Sequence, residues 1–195
     1  MVRSIAVFSG KGGVGKTTIA ATLAQIAGLT LIDADPQCSS LDWAELREAK
    51  TPEVVSSPLV RLPKLLEQLP GCVIDLPGAL VGNVAPVLAA VDLVLLVTGD
   101  RQHELNALPQ SLELVAQAGT PCHVILNRLH PFSDPAPVVE LVQEIGGQVA
   151  PVYLRERAAH YKAASQGLTA VEFEPDGAAA AEVLKLWDWI GSLPG

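Results

Sequence analysis

Three segments of the sequence end an apolar run in residues that can do chemistry. In the first, Gly10-Lys11-Gly12-Gly13-Val14-Gly15-Lys16-Thr17 follows Ile5-Ala6-Val7-Phe8 and precedes a pattern in which Ile19, Leu23 and Ile26 recur at i, i+4 and i+7. The spacing is GxxxxGK[ST], and a strand before it with a helix after it is the context in which that spacing cradles phosphate. The glycines let successive backbone N–H groups turn inward around an anion. The helix that starts near Lys16 adds the positive end of its dipole. Lys16 then reaches the β- and γ-phosphates of a nucleotide, and the Thr17 hydroxyl binds Mg²⁺. Lys11 is a second lysine inside the loop, five residues before Lys16, which an ordinary phosphate loop does not require.

The second segment, Leu31-Ile32-Asp33-Ala34-Asp35-Pro36-Gln37, closes a strand with two carboxylates two residues apart. Carboxylates at the end of a buried strand need a cation or hydrogen bonds to be tolerated, and a Mg²⁺ ion with an attacking water supplies both. The competing reading is that one of them caps the helix that follows. The third segment, Val73-Ile74-Asp75-Leu76-Pro77-Gly78, ends an apolar strand in Asp75, the arrangement that holds Mg²⁺ beside a phosphate loop. The metal set is therefore Thr17, Asp35 and Asp75. Asn127 closes the run Val124 to Leu126, and its amide offers the donor and acceptor that suit an adenine edge. The stretch from Pro151 to Arg155 follows the next apolar segment and is expected to pack on the base.

These groups need a scaffold that brings strand ends together. Short apolar runs at Ile5–Phe8, Leu29–Ile32, Cys72–Ile74, Leu93–Val97 and Val124–Leu126 alternate with helical patterns, and Gln148–Val152 is a candidate sixth. Continuous apolar runs of four or five residues suit strands buried on both faces. Leu105, Leu108, Leu112 and Val115 carry a helical period in which Pro109 imposes a kink or a late helix start. The alternation predicts an α/β fold, a doubly wound and mostly parallel sheet with helices on both faces, in one domain over residues 1–195. Ligands in such folds sit outside the carboxyl ends of the strands.

Composition narrows the class further. The chain has 195 residues, 49% hydrophobic but only 4% aromatic, so its core is aliphatic. The net charge of −8 argues against a protein coated in nucleic acid, while leaving room for a local basic patch. Cys38, Cys72 and Cys122 form no CxxC pair, which supports neither a zinc site nor a redox motif. Met1-Val2-Arg3-Ser4 runs straight into the first strand, with no signal peptide expected, and no apolar run is long enough to span a bilayer. Arg155, Arg157, His160 and Lys162 form the most basic stretch, interrupted by Glu156. His103 is expected in a solvated turn. The last helix carries Val183, Leu184, Leu186, Trp187, Trp189 and Ile190 with one basic residue, Lys185, which predicts core packing and not membrane binding.

Lys11-Gly12-Gly13-Val14-Gly15-Lys16-Thr17-Thr18, with the DxDPQ and hhhDxPG segments, resembles the ParA/MinD family of deviant Walker ATPases. Asp35-Pro36-Gln37-Cys38-Ser39-Ser40-Leu41-Asp42-Trp43 and Phe173-Glu174-Pro175-Asp176-Gly177-Ala178 look like its short plasmid-partition members. The resemblance implies ATP and Mg²⁺ as cofactors, held by Lys11, Gly12, Gly13, Val14, Gly15, Lys16, Thr17 and Thr18. It implies that Asp35 activates the water and that Lys11 contacts the nucleotide of a partner subunit in an ATP-sandwich homodimer. It further implies positioning or segregation of cargo through an adaptor and ATP-gated non-specific DNA binding, in the cytoplasm at the nucleoid. The alternative within the family is a relative acting on a membrane or protein scaffold. With the first strand near residue 3, no N-terminal helix-turn-helix is expected. Cys38 stands where the family usually has Gly. The nature of the cargo stays open at this level.

Overall fold

The computed structural model describes residues 2–78 and 83–194. Six strands, β1 (Ser4–Ser9), β2 (Thr30–Asp33), β3 (Val54–Ser56), β4 (Cys72–Gly78), β5 (Leu93–Thr98) and β6 (Cys122–Leu126), form one sheet in the order β3-β2-β4-β1-β5-β6. Every pairing in it is parallel. Around the sheet lie α1 (Lys16–Ala27), α2 (Ser39–Glu45), α3 (Leu62–Leu66), α4 (Ala85–Leu88), α5 (Gln102–Leu105), α6 (Leu108–Ala118), α7 (Ala136–Glu144), α8 (Ala158–Ala164), α9 (Ala170–Phe173) and α10 (Ala178–Gly191).

The aliphatic runs divide with a period of two, because successive side chains of a strand point to opposite faces. Ile5, Val7, Leu31, Val73, Leu93, Leu95, Val97 and Ile125 pack with α1 and α10. Ala6, Phe8, Ile32, Ile74, Leu76, Val94, Leu96, Val124 and Leu126 pack on the other face with α3, α4, α6 and α7. A sheet with both faces covered needs such runs, and the expected doubly wound architecture is present.

The sixth strand is not the expected one. Gln148–Val152 makes only an isolated bridge, Val149 with Val124. Its neighbours hydrogen-bond to β6 through the Gln148 carbonyl (2.7 Å) and the Ala150 N–H (2.9 Å), and the next bond to β6 comes from the Leu154 N–H to the Leu126 carbonyl (2.9 Å). The sixth strand is β3, three residues of which none is buried, at the opposite edge, paired to β2 through Leu31–Val54 and Ile32–Val55. At Pro109 the helical pattern resolves as a late start. α5 ends at Leu105, and α6 begins at Leu108 with the proline in its first turn, where a missing N–H costs nothing.

In α10, Val183, Leu186 and Ile190 are buried against α1, with Trp187 and Trp189 partly so, which accounts for the apolar stripe as core. No helix among the described residues is long and apolar enough to cross a membrane.

Candidate functional site

β1 lies between β4 and β5, so the loop after β1 and the ends of β2 and β4 meet at one edge of the sheet. Asp33 and Asp75 are register partners there. A cavity of about 530 Å³ opens at this edge, lined on one side by Gly12, Gly13, Gly15, Lys16, Thr17 and Thr18. Asp35, Gly78, Asn127, the segment from Leu154 to Arg157 and His160 are also part of its wall.

The loop takes the shape its glycines allow. Gly13 and Gly15 have φ of +81° and +92°, which a side chain rarely adopts. Gly15 also leaves no space, since a Cβ there would come within 2.4 Å of Asn127 Nδ2. Val14 turns its side chain into the core and leaves only its backbone at the loop. Its carbonyl accepts from Asn127 Nδ2 at 2.7 Å. One amide proton of Asn127 is thus committed to the loop, and the residue joins β6 to the phosphate cradle as well as facing the cavity.

Lys16 is 6% exposed, and burial pulls its ammonium below the usual lysine range while Asp75 and Asp35 oppose the shift. Its Nζ lies where a Cβ on Gly78 would approach within 2.8 Å, so the glycine of Asp75-Leu76-Pro77-Gly78 makes room for the lysine. Thr17 Oγ1 donates to Asp75 Oδ2 at 2.7 Å, and Ser40 Oγ donates to the same oxygen at 2.9 Å. Asp75 Oδ1 is buried and has no hydrogen-bond partner among the described residues. An orphaned carboxylate oxygen beside a threonine hydroxyl and a phosphate loop fits a Mg²⁺ ion and its bound water, the cation and donors that burial otherwise denies it.

Burial pushes the Asp75 carboxyl up to about 6, against the downward pull of Thr17, Lys16 and Ser40. A carboxyl raised in the folded state favours folding below its ordinary pKa of 3.8 and loses that advantage as pH rises through 6. Without metal or nucleotide, Asp75→Asn is therefore expected to be the more stable protein at pH 8, by up to about 3 kcal/mol, with the advantage shrinking toward pH 4. Urea unfolding in chelator at pH 5, 6 and 8 measures this. Parallel pH dependence of the two proteins would refute it.

The two carboxylates of the second segment divide their work. Asp33, fully buried, accepts the N–H groups of Ser40 (2.9 Å) and Leu41 (3.0 Å) at the head of α2 and that of Asp35 (3.1 Å). Burial raises its pKa and these backbone bonds lower it. Asp33 is the helix cap, and Asp35 is left to face the cavity. Asp35 Oδ1 accepts from the Gln37 N–H at 2.9 Å and Oδ2 from the Gly78 N–H at 3.3 Å, which ties the second and third segments together. Cys38 sits between Asp35 and α2 with φ +53°, ψ +31°. A left-handed backbone costs a residue with a side chain about 1–2 kcal/mol, so the cysteine strains a segment that a glycine would leave relaxed.

Lys11 is exposed, lies outside the cavity lining, and its ammonium has no partner among the described residues. Pro151 is exposed and also outside the lining, which begins three residues later at Leu154. Of the Pro151–Arg155 stretch expected to pack on the base, Leu154 and Arg155 line the cavity. The basic stretch is largely committed. Arg157 Nε donates to Glu182 Oε1 at 2.9 Å, and Arg155 Nη1 donates to the carbonyls of His130 (2.8 Å) and Ser133 (3.1 Å). Lys162 remains exposed. His103 is exposed at the start of α5, 3.8 Å from Glu104.

Sequence reasoning places Ser40 and Arg128 at the ligand edge, after their strands, but gives neither a role. Ser40 meets Asp75 only because β2 and β4 are neighbours. Arg128, in a left-handed conformation with φ +57°, turns its guanidinium back onto the Gly13 carbonyl and pairs with Glu156 at 3.3 Å. Its place directly after a buried strand is the one signal the sequence holds for it.

Comparison with known proteins agrees with this geometry. Residues 5–171 match the family model described as the CobQ/CobB/MinD/ParA nucleotide binding domain. The "Maintenance of carboxysome distribution protein A" of Gloeobacter kilaueensis is 33% identical over 192 residues, covering 92% of this chain and 89% of that protein. Among solved structures, the septum site-determining protein MinD of Pyrococcus horikoshii, complexed with Mg-ADP, superposes with a TM-score of 0.80 at 19% identity over 100% of this chain and 98% of that one. A Cyanothece McdA variant in complex with ATP does so with a TM-score of 0.79 at 20% identity over 100% and 98%. Fold, loop and family match converge: this chain belongs to the CobQ/CobB/MinD/ParA family of nucleotide-binding domains.

Proposed function

We propose that this chain is a Mg²⁺-dependent ATPase whose ATP-bound form dimerises and distributes a cargo through an adaptor protein. The observation that carries the reading is the convergence of Lys16, Thr17 and Asp35 on one cavity, with Asp75 hydrogen-bonded to Thr17 behind its wall and Lys11 left outside it. In this reading Lys16 and the loop N–H groups hold the phosphates, and Thr17 and Asp75 hold the metal and its water. Asp35 orients the attacking water, and Lys11 serves the nucleotide of a second copy. Bound Mg²⁺ neutralises charge on the β- and γ-phosphates. The relative from Gloeobacter kilaueensis, named for carboxysome distribution, supports a carboxysome as that cargo.

The surface on which the dimer works has two readings. In the first it is DNA, bound without regard to sequence. In the second it is a protein scaffold or membrane, which the commitment of Arg155 to backbone carbonyls and of Arg157 to Glu182 favours, because it removes two cations from the proposed patch. Fluorescence polarisation with random duplex DNA separates them. The DNA reading expects binding by the ATP-loaded Asp35→Ala protein at low salt and none with ADP. Log affinity should fall against log salt with a slope of about −0.9 per neutralised phosphate. No affinity at low salt would reject DNA as the track.

A further inference from the structure

His160, on α8, is the one histidine of the cavity wall among the described residues, and nothing in the proposed hydrolysis uses it. Its ring also lines a second cavity of about 250 Å³ between α1, α2 and α8, so it stands between the two spaces. Both ring nitrogens are covered, and neither has a hydrogen-bond partner among the described residues. Buried polar atoms left so are rare and ask for an explanation.

The smaller cavity does not supply one. Its walls are chiefly Ala21, Trp43, Leu46, Ala164 and Leu168. Thr22 Oγ1 there bonds the Thr18 carbonyl at 2.7 Å and Trp43 Nε1 the Leu168 carbonyl at 3.2 Å, and none of Thr18, Ser39 and Asp42, which also line it, makes a hydrogen bond to the ring. Glu182, which favours a charged ring, is held by Arg157, which opposes one. Burial, acting in the same direction as Arg157, outweighs Glu182 and pulls the imidazole below the usual histidine range. A neutral imidazole carries one donor and one acceptor. That pair matches an alcohol, which also offers both, and does not match a phosphate oxygen, which only accepts.

The position fits the same group. His160 shares its cavity wall with Thr18 and Thr22, on the first two turns of α1 beyond the lysine and metal-side threonine. In a nucleotide whose phosphates lie along Gly12 to Thr17, the sugar is the next moiety outward. Asn127 and Glu156 remain for the base. The last side-chain torsion of histidine is broad, so a ring rotation turns a nitrogen into the larger cavity without moving the backbone.

We propose that His160 hydrogen-bonds a ribose hydroxyl of the bound nucleotide and makes the site selective for ribonucleotides. The proposal rests on the nucleotide-binding reading above. Calorimetry with ATP, 2′-deoxy-ATP and 3′-deoxy-ATP in Mg²⁺ tests it on the wild type, His160→Phe and His160→Gln. The wild type should bind ATP about five- to tenfold tighter than one of the two deoxy forms, the worth of one neutral hydrogen bond. His160→Phe should bind ATP and that deoxy form alike, and its nucleotide-free form should melt higher, having lost two unpaired buried nitrogens. His160→Gln, which keeps a donor and an acceptor, should retain the discrimination, and His160→Leu replaces the Phe variant should that one fail to fold. A Phe or Leu variant that discriminates among the three as the wild type does would overturn the proposal. So would loss of discrimination between ATP and GTP in place of the sugar selectivity. Failure of the wild type to bind ATP at all would instead defeat the underlying nucleotide reading.

Discussion

Lys16→Ala is expected to lose measurable ATP binding. The ammonium is the one cation buried at the cavity floor among the described residues, and none of their other lysines or arginines takes its position between Asp75 and Asp35. Its removal withdraws two or more charge-assisted hydrogen bonds to phosphate. Each is worth about 1.5–3 kcal/mol, so affinity should fall by at least about 100-fold. The substitution also leaves Asp75 and Asp35 facing the nucleotide's negative charge without a counterion, which pushes in the same direction. Calorimetry with ATP and Mg²⁺ measures the loss, and circular dichroism of the free variant shows that the fold survives. Lys16→Arg should not rescue binding, because the planar guanidinium fork cannot occupy the space that Gly78 leaves for a single nitrogen. Wild-type affinity in Lys16→Ala would end the phosphate-loop assignment.

Lys11→Ala is expected to separate binding from turnover. Lys11 lies outside the cavity of its own chain, so its loss should leave ATP affinity within a few-fold of wild type. A cation supplied in trans contributes roughly 10³ to 10⁵ in rate in other nucleotide hydrolases. The variant should therefore lose ATP-dependent dimerisation in light scattering and, with it, most of its ATPase rate. A normal ATP-bound dimer with normal turnover would show Lys11 to be a solvated loop residue. By contrast, Asp35→Ala should bind ATP and dimerise yet hydrolyse slowly, so the two variants fail at different steps.

Much of this site is legible in the amino-acid sequence, and the reason is local. A phosphate cradle is built from eight consecutive residues, and the glycines at 13 and 15 are required by backbone angles that neighbouring residues alone impose. The period-two aliphatic runs encode a sheet covered on both faces. Other features are not local. β3 escapes a reading by hydrophobic pattern because an edge strand of three residues, none of them buried, carries little of that signal. Gln148–Val152 has the apolar residues of a strand, yet the chain there pairs with β6 through a single bridge at Val149.

The sequence by itself determined the chemistry of the loop, the two carboxylate-bearing strand ends and the doubly wound architecture, since each depends on residues within a turn or a strand of one another. Only the tertiary structure decided the partners. It made Asp33 a cap and left Asp35 facing the cavity, because α2 starts directly over the end of β2. Placing β2 beside β4 brought Ser40 to Asp75. It tied Arg157 to Glu182, on a helix 25 residues away, and so removed a cation that the linear charge pattern offers to a partner. Charge and hydrogen-bond pairing across the fold depend on which elements are neighbours, and that is a property of the packed sheet and helices, which no single segment carries.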